Sequence, residues 1–278
     1  MEPALDINKD IFEHPEHWDG TTKTDPLHQG RNKLLLGLVP PDVREIIDVG
    51  CGEGAFLEVA AAQGFVVQGM DRSQAAVRAA RVPVVLGSVA RLPFKDHSYD
   101  LVSCTEVLEH LDGGILAEAV REIARVSRKY ILIGVPWREQ RTNQLARCGS
   151  CGHVFHAWGH VRSFNSLKQI ASLFPGWQVV ATASYGSQRT VILPGLAWLR
   201  AHVLGRWTWE RSTVCPVCRG NLPKERRKTL PMVQWLIEGL EWRMTKRVHP
   251  WWVMVVLHRN PGARIASPHI EFTSRGNG

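Results

Sequence analysis

From residue 46 onward, short apolar runs alternate with helical stretches at a spacing that fits a wound parallel sheet. Residues 46–50 read as a buried strand, and 53–63 as a helix with Ala55, Phe56, Val59, Ala60 and Ala62 at its apolar positions. Gly64 stops that helix. The same reading predicts strands at 65–70, 84–86, 99–104 and 130–135, with helices at 73–80 and 115–126. Repeated strand–helix–strand units make an α/β fold whose mostly parallel sheet carries helices on both faces. A chain of 278 residues, 44% apolar and 22% charged, supplies the core for one large domain with an insert. No run of eighteen apolar residues occurs, which excludes a spanning helix. The first residues lack the basic-then-apolar pattern of an export signal, so a cytoplasmic location is expected.

After Pro136 the rhythm breaks, and the chain divides as follows. Residues 1–40 form an N-terminal cap segment with a helix near 31–38. Residues 41–136 form the cofactor-binding core, and 137–165 a first cysteine-bearing insert. Residues 166–185 continue the core with a helix at 166–174 and a strand at 177–184. Residues 186–230 are a second insert, rich in Trp and basic residues. Residues 231–259 complete the core, with a helix near 232–243 and a strand at 251–258, and 260–278 form a flexible tail.

The turn after the first strand holds Asp48, Gly50, Cys51, Gly52 and Gly54, and its glycines let backbone approach a ligand closely. Asp71 ends the second strand about twenty residues on, where an acid suits a ribose diol. A Walker lysine is missing, and the glycine spacing differs from the dinucleotide fingerprint. Together with Leu92–Phe94 and the segment Tyr99–His110, these residues resemble class I S-adenosylmethionine-dependent methyltransferases. The resemblance implies a Rossmann-like, seven-stranded sheet and S-adenosyl-L-methionine as cofactor. It places the methionine part on Asp48, Gly50 and Gly52, the ribose on Asp71, and the adenine beside Ser88 and Val89. Cys51, Arg72 and Thr105 complete the expected cofactor contacts. Ser88 stands where that family often has Asp, which leaves the adenine contact to backbone.

Glu106, Glu109 and His110 follow the fourth strand, at the carboxyl end of the sheet where ligands of such folds sit. On a helical turn Glu106 and Glu109 share a face. With His160 as a fourth ligand, two carboxylates and two imidazoles suit a divalent ion with open positions. The pattern is similar to metal-dependent O-methyltransferases of ubiquinone biosynthesis and of small-RNA 2′-O-methylation, which implies Mg2+ or Mn2+ bound to a vicinal diol. Two further readings stay open: a metal-free general base at His110 or His160 with Glu109 beside it, or a structural hydrogen-bonder. A hydroxyl acceptor is a poor nucleophile at neutral pH and needs such a base or Lewis acid.

Cys148, Cys151, Cys215 and Cys218 form two C-x-x-C pairs that resemble the halves of a zinc ribbon. Four thiolates close a tetrahedral structural Zn2+ site, with His153 or His156 in place of one Cys as the lesser option. The second pair lies between the last two strands, expected to be an antiparallel hairpin, so both knuckles emerge at the cofactor end and one zinc joins both inserts as a lid. Cys51 and Cys104 read as small buried packers.

Net charge is +8, and thirteen Lys/Arg against four acids between residues 186 and 260 place the excess in one region. Seven of the eleven Trp fall there as well: Trp198, Trp207, Trp209, Trp235, Trp242, Trp251 and Trp252. Basic residues with Trp fit an anionic membrane surface, sugar stacking or single-stranded nucleic acid, and equally the packing of a small subdomain. The expected function is O-methylation of a hydroxyl on a sugar, a lipid-linked glycan or a small metabolite, with peripheral contact at the inner membrane face. An RNA 2′-O-methyltransferase and a non-catalytic cofactor-binding partner protein are the alternatives.

Overall fold

The computed structural model describes residues 12–13, 18, 20–187, 189–209, 213–220, 231–244, 246–259 and 269–271. In chain order the strands are β1 (Glu45–Val49), β2 (Val66–Asp71), β3 (Val84–Leu86), β4 (Tyr99–Thr105), β5 (Ser127–Pro136), β6 (Leu145–Arg147), β7 (Val154–His156), β8 (Gln178–Tyr185), β9 (Arg189–Val191), β10 (Lys246–His249), β11 (Trp252–His258) and β12 (His269–Glu271). The helices are α1 (Thr21–Thr24), α2 (Pro26–Gly37), α3 (Ala55–Ala61), α4 (Gln74–Ala79), α5 (Gly113–Val126), α6 (Leu167–Ala171), α7 (Pro194–His202) and α8 (Pro231–Met244).

Seven strands lie in the order β3-β2-β1-β4-β5-β11-β8, and β12 adds a short eighth beside β8. Only β11 runs antiparallel to its neighbours. The central strands read as unbroken apolar runs because both faces are covered. Alternate residues feed two cores. Ile47, Val102, Ile131, Ile133, Val253 and Val255 pack with Leu116, Val120 and Ile123 of α5 and Ile170 of α6. Ile46, Leu101, Leu132, Met254 and Val256 pack on the other face with Leu34 and Leu35 of α2 and Phe56, Leu57 and Ala60 of α3.

Several elements differ in extent from the sequence reading. The helix expected at 53–63 spans Ala55–Ala61, because residues 50–54 carry three positive-φ glycines that hold the turn out of helix. α2 starts earlier than expected, where Asp25 accepts the His28 N–H and Pro26 opens the first turn. α6 is five residues long, shorter than the expected 166–174.

Both inserts leave the sheet. β6 and β7 form a hairpin of their own, and β9 pairs with β10. Of the stretch 231–259, expected to complete the core, only β11 joins the sheet. α8 packs against α7 and β10 pairs with β9, so these two stand with the second insert. The basic cluster at 224–228, the tail from 260 apart from β12, and most of residues 1–19 lie outside the described residues.

Candidate active site

β1 delivers Asp48, almost fully buried, to the foot of the glycine turn, where Ser103 Oγ of β4 donates a 2.6 Å hydrogen bond to its Oδ1. Burial pushes the Asp48 carboxyl up to about 7, against the opposing pull of that bond and of the Arg31 charge. Gly50 and Gly52 have φ of +76° and +55°, a region costly for any side chain. A Cβ on Gly50 would fall 2.3 Å from Val107, and one on Gly52 would fall 2.5 Å from the Trp18 ring. Asp71 is buried at the end of β2. Its carboxylate accepts the Gly52 N–H and the Ser73 N–H, each at 2.8 Å, and so fixes the loop.

The N-terminal segment lies against this loop. Trp18 Nε1 donates to the Phe12 carbonyl, which also accepts from Ser73 Oγ at 2.6 Å. Phe12 meets the His110 ring edge-on at 5.3 Å. A cavity of about 640 Å³ opens alongside, a size suited to small-molecule sites. Its walls include Asp48, Gly50, Cys51, Gly52 and Thr105 on one part and Glu106, His110, Glu139 and His160 on another. Arg72, Asp71, Ser88 and Val89 of the expected cofactor set do not line it.

After β4 the chain turns sharply at Glu106, whose φ is +57°, and passes into a 3-10 turn, Leu108–His110. The positive φ at Glu106 keeps Glu106 and Glu109 off a single regular helical turn. Glu106 Oε2 accepts from Trp252 Nε1 at 2.7 Å and lies 4.0 Å from Arg31. Arg31 in turn covers the Trp252 ring at 5.0 Å. Glu106 is therefore a correction to the expected ligand set: its carboxylate faces Trp252 and Arg31 and is absent from the clusters of ligating atoms among the described residues.

Glu109, His110 and His160 do come together, with one ligating atom of each lying within 4.8 Å of the others. Glu109 is buried, and neither of its oxygens has a hydrogen-bond partner among the described residues. Burial, then the neighbouring Glu106 charge, pushes its carboxyl well above the usual range. Burial, then the His160 and His156 rings, holds His110 well below its ordinary value, so it is neutral at pH 7. Such an arrangement of buried carboxylate and neutral imidazoles fits a cation.

Two further residues join the group: Glu139, which the sequence reading does not single out, and His156, which it offers only as a substitute ligand at the cysteine site. Glu139 Oε2 accepts from His160 Nδ1 at 2.5 Å, which leaves Nε2 as the lone-pair nitrogen of His160. His156 stacks on His160 at 4.6 Å, and its Nδ1 accepts the backbone N–H groups of Trp158 and His160. The His156 proton therefore sits on Nε2, which faces Glu139 Oε1 at 3.9 Å. The paired strands β6 and β7 set this geometry, since β7 ends on His156.

That hairpin also bears the first cysteine pair. Cys148 Sγ lies 3.5 Å from Cys218 Sγ, and Cys151 Sγ lies 3.6 Å from Cys215 Sγ. Both separations exceed the roughly 2.05 Å of a disulfide and approach the about 3.8 Å edge of a tetrahedron with roughly 2.3 Å metal–sulfur bonds. The two pairs fold alike. The N–H of Gly152 donates to the Cys148 carbonyl and that of Arg219 to the Cys215 carbonyl. Cys148 N–H donates to His153, and Cys215 N–H to Gly220.

Comparison with known proteins adds the family. Residues 47–130 match the methyltransferase domain family. A ubiquinone biosynthesis O-methyltransferase of Nitrosospira multiformis is 31% identical over 125 residues, 40% of this chain and 51% of that protein. The chain thus spans about half the length of the curated relatives it matches. A SAM-dependent methyltransferase from Archaeoglobus fulgidus superposes with a TM-score of 0.51 at 15% identity, covering 87% of this chain and 99% of the other. One from Thermotoga maritima gives 0.53 at 13% identity, covering 91% and 100%. Sheet order, glycine turn and family match meet in one statement: this chain carries a methyltransferase domain of the class I, S-adenosylmethionine-dependent fold.

Proposed function

We propose that the protein transfers the methyl group of S-adenosyl-L-methionine to a hydroxyl of a small molecule, a sugar, a lipid-linked glycan or another metabolite. The observation that carries this is a single cavity bordered both by the glycine turn with Asp48 and by His110 and His160. The glycine turn supports a cofactor there, because Gly50 and Gly52 line the cavity and a side chain on either would collide with Val107 or Trp18 and distort that wall. A sulfonium methyl is already activated, so the protein's task is to hold the acceptor oxygen in line and to manage its proton.

Glu139 holds the Nδ1–H of His160 and leaves one lone pair, on Nε2. Without a metal that nitrogen would accept the hydroxyl proton, and with one it would be a ligand instead. Glu109, His110 and His160 would hold a divalent ion such as Mg2+ or Mn2+, which when bound would lower the pKa of the acceptor hydroxyl. The unpartnered Glu109 carboxylate supports that reading. The Glu139–His160 hydrogen bond supports the metal-free base as the second reading. The four cysteines would hold a structural Zn2+ that joins the two inserts.

The test is labelled methyl transfer to a panel of sugars, phenols and RNA, with chelator and with Mg2+ or Mn2+ restored. Glu109→Gln and His160→Gln are expected to lower turnover by about 10²–10⁴-fold while leaving cofactor affinity nearly unchanged. Full turnover in both variants would reject the assignment of this cluster. Methylation confined to RNA would move the acceptor to nucleic acid.

A further inference from the structure

We propose that α8, with the outer side of α7, is a docking face that rests on an anionic lipid surface. α8 is turned the opposite way from a water-facing helix. Met232, Trp235 and Trp242 are 75%, 74% and 85% exposed, and Leu236 is 54% exposed. Leu240 and Met244 join them, and α7 adds Trp198 at 56%. The acids of α8 are taken up in ion pairs: Glu238 pairs with Arg206, and Glu241 lies 3.2 Å from Arg200. Ile237 is the one side chain of the helix recorded as buried. A helix meant for water puts its charges out and its apolar stripe in.

Charge and composition select the occupant. With both acids ion-paired, Arg243 is the remaining ionisable group of α8, and it is exposed. The region 186–260 has an excess of nine positive charges, four of its cations falling in the ten residues just before α8. Exposed Trp among cations is the composition of an interfacial contact with anionic headgroups. A second copy packed on this face about a twofold axis would bring Arg243 toward its own counterpart, like charge on like. Placement agrees as well. α7 turns Trp198 outward and contributes Arg200 to the wall of the reaction cavity. A helix resting on lipid would therefore also border the cavity, as an acceptor with a lipid tail requires. Trp207, another of the seven Trp of this region, is not part of this face: it is half-buried between Arg147 and His202.

The experiment is co-sedimentation of the full chain with vesicles of phosphatidylcholine alone and of equal parts phosphatidylcholine and phosphatidylglycerol, at low and high salt. Binding is expected only to the anionic vesicles, with a blue shift of Trp emission and weakening by salt. The double variant Trp235→Gln/Trp242→Gln is expected to lose about tenfold or more in vesicle affinity, with circular dichroism and cofactor affinity unchanged. Absence of wild-type binding to anionic vesicles overturns the proposal, as does undiminished binding by the double variant. A dimer that the double variant dissolves, without vesicle binding, overturns it in favour of a second copy.

Discussion

Asp48 is the titratable group with the clearest consequence. Its carboxyl is pushed up to about 7 by burial, against 3.8 for an ordinary aspartate. Between those values the folded chain holds a proton that the unfolded chain has released. The protonated side chain's stabilising contribution is thus complete at acid pH and is lost as pH rises toward 7, by an amount on the order of a few kcal/mol. Asp48→Asn is expected to flatten stability against pH over that window, read by urea unfolding. A cationic ammonium placed beside Asp48 would expel the proton. Calorimetric titration with S-adenosylmethionine in buffers of different ionisation heat should detect proton release near pH 6, and little at about pH 8.5 or in Asp48→Asn. Equal proton release by the variant would remove Asp48 from the cofactor contact. Asp48 was legible in the sequence because the strand–glycine turn fixes its place. Glu139 and His156 were not, because no spacing ties them to Glu109 or His110. They meet only through the hairpin of β6 and β7. Glu106 misled for a local reason: the spacing suited a helix, but its positive φ turned it to Trp252.

At the level of elements, the segment between β4 and α5 is held at its far end by a helix cap. Asp112 accepts the Ile115 N–H at 3.0 Å, two residues after His110. Asp112→Ala should cost about 1 kcal/mol of stability, and Asp112→Asn markedly less, in denaturant unfolding. A similar loss in both variants would assign the effect to charge and not to the cap. Most core elements were legible because their apolar residues follow a single period, as in α5, which buries Leu116, Ala119, Val120, Ile123 and Val126 on one stripe. α8 was legible as a helix but not as a surface. Its apolar residues run right round it, so sequence alone does not say which side packs. The ion pairs to Arg200 and Arg206 decide that, and both partners come from the stretch 200–206, far away in sequence.

On the scale of the whole chain, two bodies of different robustness share one cavity. The sheet has large cores on both faces. Among the described residues, the cysteine-centred unit buries Ala146, Cys148, Phe155, Ala157 and Cys215, with Trp158 and Trp209 packed against them. A core of that size does not hold a fold by itself and needs a staple. The C-x-x-C spacing suggests a zinc as that staple. What spacing could not announce is that β7, whose hairpin carries the first knuckle, ends on the histidine that stacks on His160. The two properties are therefore coupled: whatever closes the thiolate cluster also steadies the imidazoles. Chelation, or Cys215→Ser, is expected to release about one zinc per chain. Thermal unfolding should then split into an early step that abolishes the near-ultraviolet signal of Trp158 and Trp209 and a later step for the sheet. Between the two steps cofactor binding should persist, because the glycine turn belongs to the sheet, while methyl transfer should already be lost. A single transition that chelator leaves in place, with transfer intact, would mean that the four sulfurs hold no ion on which the site depends.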